Sequence, residues 1–177
     1  MRKIKVQKMV LSAMFLGVGM VLPLFTGQLK EIGDSLLPMH VPVMLCGFIC
    51  GASYGFVVGM ILPFLRSVIF GMPPIYPNAV WMALELASYG FVIGMIYFHS
   101  KNKSLKSIYV SLLSAMLVGR AVWGISKAVL LGIGGKAFGF AMFLSGGFVD
   151  ALPGIVLQLA LIPFIVRMIE RKRRSLE

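Results

Sequence analysis

The sequence predicts an all-α integral membrane protein with six transmembrane helices. Three observations support this prediction: 59% of the 177 residues are hydrophobic, only 13% are charged, and long uncharged segments separate the charges. Soluble domains are about 45–50% apolar and about 25% charged, and a chain of this length cannot bury such an apolar excess in its own core. We therefore expect a single membrane domain over residues 1–177, with lipid as its solvent.

Six segments are candidates for spans, because about 20 mostly apolar residues cross a bilayer. Their continuous apolar runs favour helices over the alternating strands of a β-barrel. The second and third spans share one apolar run, which we divide at the turn-forming residues 51–55. The predicted spans are 9–26, 39–52, 54–71, 78–98, 107–132 and 141–167.

Lysine and arginine predict the orientation of the chain. With six spans, 12 of the 17 basic residues fall on one side, in segment 2–8, in the loop at 101–106 and in the tail 167–177. The other side has only Lys30 and Lys136. The positive-inside rule then puts both termini in the cytoplasm of a plasma-membrane protein. The basic tails are expected to orient the chain and to contact anionic lipid, and nucleic acid is not expected as a partner.

Five charged residues lie inside the predicted spans. A charge at membrane depth is costly, so it usually faces the protein interior or a water-filled cavity. These five could simply pair with one another, but their predicted depth in the outer half of four helices favours a pocket open to the outside. They are Arg66, Glu85, Arg120, Lys127 and Asp150.

Two helical stripes combine aromatic, polar and charged side chains at intervals of three or four residues. A stripe of this composition suits the wall of a small-molecule pocket, although a single tryptophan could instead be an interface anchor. Three basic and two acidic groups leave one positive charge, which favours an anionic group on the ligand. The stripes are Asn78, Trp81, Met82, Glu85 and Tyr89 on span four, and Arg120, Trp123, Gly124 and Lys127 on span five.

His40 begins span two between two prolines, and it is either a capping or packing residue or part of the pocket rim. The sequence has no motif that indicates an enzyme, such as G-x-S-x-G or H-E-x-x-H, and no cofactor is expected. Residues 134–137 resemble a phosphate loop but lack its first glycine and its Ser/Thr. With two histidines and two cysteines, no metal site is expected, and Cys46 and Cys50 are interpreted as buried free thiols.

Three outer loops either connect helices only or also cap the pocket. Glycine gives such loops mobility, whereas proline makes them stiff, so the composition allows gating. They are the segment at about 27–38, the proline-rich segment 71–77 and the glycine-rich segment 132–140.

Small residues four apart allow helices to approach closely. Ala13 and Gly17 form such a face on span one, which has no charge at membrane depth and could contact another membrane protein. Four glycines around the second turn favour packing inside the bundle instead: Gly47, Gly51, Gly55 and Gly59.

Residues 35–95 contain several segments that resemble a known family. They are Leu-Pro-Met-His-Val-Pro-Val-Met-Leu-Cys-Gly-Phe at 37–48, Tyr-Gly at 54–55, Pro-Phe-Leu-Arg-Ser at 63–67, Gly-Met-Pro-Pro at 71–74 and Met-Ala-Leu-Glu-Leu-Ala-Ser-Tyr-Gly at 82–90. Together with six spans and a basic tail, they resemble the substrate-binding S components of energy-coupling factor (ECF) vitamin transporters. The resemblance implies six helices, a vitamin or precursor bound near the outer face, and partnership with a transmembrane T component and two cytoplasmic ATPases.

The resemblance also implies roles for two features found above. Ala13 and Gly17 would contact the T component, with glycine in place of a second alanine, and the loops at 27–38 and 71–77 would act as gates. The segments around His40 and Glu85 most resemble the pantothenate branch, with hydroxymethylpyrimidine carriers close by and riboflavin still open. Pantothenate is favoured because its carboxylate agrees with the excess positive charge.

In this interpretation the ligand contacts both stripes and the residues near them. Two other classes remain open: a stand-alone carrier or channel without ATPases, and a membrane scaffold that binds no small molecule. The expected substrate-binding residues are His40, Arg66, Asn78, Trp81, Glu85, Tyr89, Arg120, Trp123, Lys127 and Asp150.

Overall fold

The computed structural model describes residues 2–26, 36–100, 102–135 and 137–174. Throughout these ranges the regular secondary structure is helical. The helices are α1 (Arg2–Thr26), α2 (His40–Cys50), α3 (Ala52–Phe70), α4 (Val80–His99), α5 (Leu105–Ile133), α6 (Phe140–Leu144) and α7 (Leu152–Arg174).

Five of the helical segments are long and apolar enough to cross a bilayer. The 11-residue helix α2 is not, because it is only about 16 Å long, roughly half of the about 30 Å of bilayer hydrocarbon. Every residue of α2 except Ile49 is buried in the bundle. The six-span count therefore remains a prediction. The five long segments are Ile4–Phe25, Ala52–Phe70, Ile75–His99, Leu105–Ile133 and Leu152–Lys172.

The predicted division between the second and third spans is confirmed at Gly51. Its backbone φ of 104° lies in the region that favours glycine, and there the chain reverses direction from α2 into α3. The ring of Phe48 lies 5.0 Å from that of Tyr97, whereas His40 contacts Glu85. Helix α2 therefore runs parallel to α4, and α3 returns antiparallel to both.

Glycines allow α2 and α3 to pack directly on the backbone of α4. A Cβ atom added to Gly55 or to Gly47 would lie 2.7 Å from the carbonyl oxygen of Gly90. A Cβ at Gly59 would lie 2.5 Å from the backbone of Leu86. Side chains do not fit at these distances, so the expectation that Gly47, Gly55 and Gly59 pack inside the bundle is confirmed.

The basic segments of the chain meet at one end of the bundle, which we call the basic end. Lys8 Nζ and Lys103 Nζ each lie 5.0 Å from the ring centroid of Phe98, and Tyr97 donates a hydrogen bond to Glu170. These contacts join the start of α1, the end of α4, the start of α5 and the end of α7. We call the opposite end, where α1 and α3 finish and α4 begins, the far end.

The expectation of a continuous sixth helix over 141–167 is wrong. Helix α6 continues into a wider turn at Ser145–Val149, in which the Asp150 N–H bonds to the Ser145 carbonyl at 2.9 Å, and α7 begins only at Leu152. Two adjacent glycines, Gly146 and Gly147, weaken the helix at this point. Pro153 suits the first turn of a new helix because no intrahelical bond needs its missing N–H.

Helices α1 and α7 extend beyond the predicted spans into the basic segments, to Arg2 and Arg174. The spans were predicted from the length of the apolar segments alone. The helices are longer because a helix can continue into residues with charged side chains. In the predicted outer loop 71–77, Tyr76 has an extended backbone (φ −120°, ψ 134°), and the Val80 N–H bonds to the Pro77 carbonyl where α4 begins. The peptide bonds before Pro73 and Pro77 are cis.

Candidate functional site

A buried group of polar side chains lies where α2 begins, between α4 and α5. We call it the polar cluster; its members are only 1–4% exposed. Helix α4 positions Glu85 and Tyr89 one turn apart on the same face. Glu85 lies 12 residues before Tyr97, which is about 18 Å from the basic end. The polar cluster consists of His40, Glu85, Tyr89 and Arg120.

Glu85 Oε1 is the centre of the polar cluster. Arg120 Nη1 lies 3.1 Å away, and the Tyr89 hydroxyl donates a hydrogen bond of 3.3 Å. His40 Nε2 lies 3.4 Å away without hydrogen-bond geometry, and its ring meets that of Tyr89 edge-on at 5.2 Å. A carboxylate removed from water needs such partners, because an unpaired buried charge is costly.

The polar cluster still contains unsatisfied hydrogen-bonding atoms. Both ring nitrogens of His40 and Nε of Arg120 are buried without a hydrogen-bond partner in the described part of the chain. The first turn of α2 also has no side-chain cap, and helix N-termini carry unpaired N–H groups and partial positive charge. Buried polar atoms are normally bonded, so this arrangement can hold a ligand through its anionic or hydrogen-bonding groups.

Lys127 lies among aromatic rings, two turns from Arg120 toward the far end. Its Nζ is 4.5 Å from the ring centroid of Trp123, 5.4 Å from that of Trp81 and 5.5 Å from that of Phe138. We call these three rings the aromatic cage. No carboxylate in residues 2–26, 36–100, 102–135 or 137–174 forms an ion pair with Lys127. A cation that contacts aromatic rings and forms no ion pair can accept an anionic ligand group.

Helix α6 closes one side of the aromatic cage. A Cβ at Gly124 would lie 2.4 Å from the Phe143 ring, so only glycine lets α6 approach α5 here. The same ring lies 6.1 Å from Trp123, and Gly146 also packs against that indole. Phe138 and Phe143 are not among the predicted site residues; the signal for them was the aromatic-rich segment 138–143 after the glycines.

Three other predicted site residues lie outside the polar cluster. Arg66 Nη1 donates to the Met20 carbonyl at 2.8 Å, and its guanidinium lies 5.4 Å from the Phe70 ring, so Arg66 joins α3 to α1. Asp150 is exposed in the turn before α7 and accepts a hydrogen bond from Ser145 at 3.4 Å. Asn78 is half-buried in the turn that leads into α4.

Gln158 is a buried polar residue that the sequence analysis missed. It is 1% exposed, and its Nε2 has no hydrogen-bond partner within the described ranges. On α7, Gln158 lies 12 residues before Glu170, and on α4, Glu85 lies 12 residues before Tyr97. Tyr97 and Glu170 are in contact with each other. Both side chains are therefore about 18 Å from the same contact, which puts Gln158 at the depth of the polar cluster. The sequence signal was one glutamine in the otherwise apolar segment 151–166.

The small-residue face of α1 is open. Ala13 and Gly17 are exposed, and a Cβ at Gly17 would contact nothing within 4 Å. The opposite face of α1 packs into the bundle, where the Cys46 thiol donates a hydrogen bond to Ser12 Oγ at 3.6 Å. Cys46 and Cys50 are buried free thiols, as expected.

The structure describes only part of the segments predicted to act as gates. Most of the segment 27–38 lies outside the described residues, as does Lys136 in the segment 132–140. The segment 71–77 is held to α3 by a hydrogen bond from Ser67 to the Pro73 carbonyl. Gating by these segments stays a prediction.

The chain matches a protein-family model over most of its length. The family described as "ECF transporter, substrate-specific component" matches residues 7–166, which is most of the chain. The matched region includes the polar cluster, Lys127 with its aromatic cage, Gln158 and the small-residue face of α1. No curated protein matches the chain.

Proposed function

Because the chain belongs to the family of substrate-specific components of ECF transporters, we propose that it binds a small water-soluble vitamin or precursor, with pantothenate as the favoured substrate. As a member of that family it is a multi-pass transport component and not an enzyme. In our proposal it lies in the plasma membrane with six spans and both termini in the cytoplasm. It would deliver its substrate through a T component and two ATPases.

The observation that carries this proposal is the set of unpartnered polar atoms in the polar cluster. His40 and Arg120 keep buried nitrogens without hydrogen bonds, next to the Glu85 carboxylate. Leaving such groups unsatisfied costs about 1–3 kcal/mol each. A ligand with hydroxyl and amide groups would satisfy them, whereas an apolar solute would not.

Pantothenate has a carboxylate at one end and hydroxyl groups at the other, with an amide between them. Lys127, which forms no ion pair with a described residue, would bind the carboxylate, and the aromatic cage would pack on the apolar part. Arg120 and Lys127 are seven residues apart on α5, or about 10 Å. A ligand with polar groups at both ends can bridge that distance and reach the polar cluster.

Tryptophan fluorescence tests the proposal, because Trp81 and Trp123 are the only tryptophans in the chain and both contact Lys127. We expect a saturable change with pantothenate. Pantothenol, which has a hydroxymethyl group in place of the carboxylate, should bind about 10–100-fold more weakly, as expected for loss of a charged hydrogen bond. Equal affinity for the two compounds would refute the role of Lys127.

A second candidate substrate is a flat aromatic compound such as hydroxymethylpyrimidine or riboflavin. The tryptophan rings of the aromatic cage favour it, because indoles stack well on planar rings. The same titration separates the candidates, since a tight neutral ligand would replace pantothenate in the proposal.

Uptake by vesicles that contain only this chain would instead indicate a stand-alone carrier or channel. A chain that binds no compound of the panel, carries none by mass spectrometry and fails to co-purify with ATPase subunits would indicate a scaffold. Co-purification with those subunits, together with ligand binding, is the result that the ECF proposal requires.

A further inference from the structure

A concave region lies toward the basic end, and none of its lining residues belongs to the polar cluster. It is a groove of about 420 Å³ between the start of α5 and the last turns of α7, a volume within the range of about 300–1,000 Å³ found for small-molecule sites. Two arginines, Arg167 and Arg171, contribute to its lining. The other lining residues are mostly apolar: Leu105, Tyr109, Ala160, Pro163, Phe164 and Met168.

The two arginines give the lining of the groove a positive charge, because the other residues that line it are uncharged. Arg167 and Arg171 are four residues apart and therefore lie on the same face of α7. Both are exposed, and neither forms an ion pair with a described residue. Glu170, three residues after Arg167, accepts a hydrogen bond from Tyr97 of α4 and does not line the groove.

The groove lies at the boundary of the apolar part of the chain. The hydrophobic segment of α7 ends at Lys172, so Arg167 and Arg171 are at the depth where lipid headgroups are expected. Phe164 and Met168 are largely exposed in the same region. The phenol of Tyr109 has an apolar ring and a polar end, as is typical of residues at a membrane interface.

We propose that this groove binds one anionic phospholipid from the leaflet at the basic end. The guanidinium groups of Arg167 and Arg171 bind its phosphate, for which their planar donor geometry is well suited. One acyl chain lies along the apolar lining. Charge complementarity favours this occupant over an apolar partner helix, which would leave both arginines without a counter-charge.

Native mass spectrometry after release from lipid nanodiscs tests this proposal. The probe is phosphatidylglycerol mixed with an excess of phosphatidylcholine that has the same acyl chains. We expect the wild-type chain to retain phosphatidylglycerol selectively, and added inorganic phosphate should not displace it. Arg167→Gln/Arg171→Gln should reduce retention about tenfold or more, because each basic residue near the surface contributes to attraction of anionic lipid.

Two further variants separate a specific site from general surface charge. Lys5→Gln/Lys172→Gln removes the same charge at the basic end but outside the groove, and it should leave retention unchanged. Ala160→Trp fills the groove while keeping both arginines, and it should reduce retention as strongly as the arginine variant. Thermal melting of each variant checks that it is folded.

Several results would overturn the proposal. One is that the wild-type chain retains phosphatidylcholine as well as phosphatidylglycerol. This result does not depend on whether any variant folds. Others are equal losses in the arginine variant and the lysine control, or full retention in Ala160→Trp. If the arginine variant kept its lipid but lost co-purifying ATPase subunits, the groove would be a protein contact instead.

Discussion

Glu85 Oε1 lies 3.1 Å from Arg120 Nη1, and both side chains are at most 5% exposed. This ion pair joins α4 to α5 in the interior of the bundle. Because Arg120 is paired with Glu85, an anionic ligand group is expected to bind Lys127, which forms no ion pair with a described residue. Arg120 is then expected to bind a ligand mainly through its remaining N–H donors.

The first prediction concerns this ion pair. Glu85→Gln and Arg120→Met should each lower the free energy of unfolding by about 3–5 kcal/mol, because each leaves one buried charge without its partner. The double variant should be more stable than the sum of the single effects implies, by about 1–3 kcal/mol. Unfolding of the purified chain in detergent measures this, and strictly additive losses would contradict the pairing.

The second prediction concerns Lys127. Lys127→Met should weaken binding of an anionic substrate about 10–100-fold, because a charged hydrogen bond to the ligand is lost. Lys106→Met, a charge removed at the other end of the same helix, should leave affinity unchanged. Fluorescence titration of both variants gives the comparison. Equal effects from the two substitutions would mean that only overall charge matters.

The third prediction concerns Gln158. Gln158→Leu should not lower the melting temperature, because it removes a buried amide nitrogen that has no described hydrogen-bond partner. The same change should weaken ligand binding about 2–10-fold, which corresponds to one hydrogen bond. Ser107→Ala removes another buried unpartnered group near the basic end and should spare binding. Normal affinity in Gln158→Leu would exclude Gln158 from the site.

The fourth prediction concerns the open face of α1. Gly17→Leu should leave ligand affinity and stability unchanged, since a side chain there meets nothing within the chain. It should abolish uptake in cells that contain the T component and ATPases, because close helix contact needs small residues. Ala121→Leu, at an exposed position of α5, is the matched control. Undiminished uptake with Gly17→Leu would refute coupling through this face.

The fifth prediction concerns the packing of α3 on α4. Gly59→Ala should destabilise the chain by about 1–3 kcal/mol, because its Cβ would overlap the backbone of Leu86. Gly17→Ala should instead be neutral or slightly stabilising, since alanine favours helix at an uncrowded position. Thermal melting distinguishes the two. Equal melting temperatures would show that α3 can move away from α4 without cost.

Much of the architecture was predictable, because hydrophobic length and glycine patterns depend on local sequence. The break at Gly51 followed from turn composition, and the glycines at 47, 55 and 59 followed from small-residue spacing. The break between α6 and α7 was missed although Gly146 and Gly147 were visible. Glycine is common inside membrane helices, so two of them do not by themselves predict an end.

The candidate site was predictable only as a set of helix faces. Periodicity put Glu85 and Arg120 on inward faces, but it does not say which helices are neighbours, so their pairing had to come from the structure. Arg66 is likewise a basic residue inside a predicted span, yet its guanidinium donates a hydrogen bond to a backbone carbonyl of α1. A carbonyl is present at every residue and leaves no signal in the sequence.

The short length of α2 bears on what a transport step must accomplish. A solute held by the polar cluster stands at the level where this helix begins, about 18 Å from the basic end. A substrate that binds at the polar cluster from the far end would thus already have crossed roughly half of the bilayer hydrocarbon. The remaining distance to the basic end is close to the length of α2, which is about 16 Å. In the proposed cycle, the energy-consuming partners would need to expose only that half of the path.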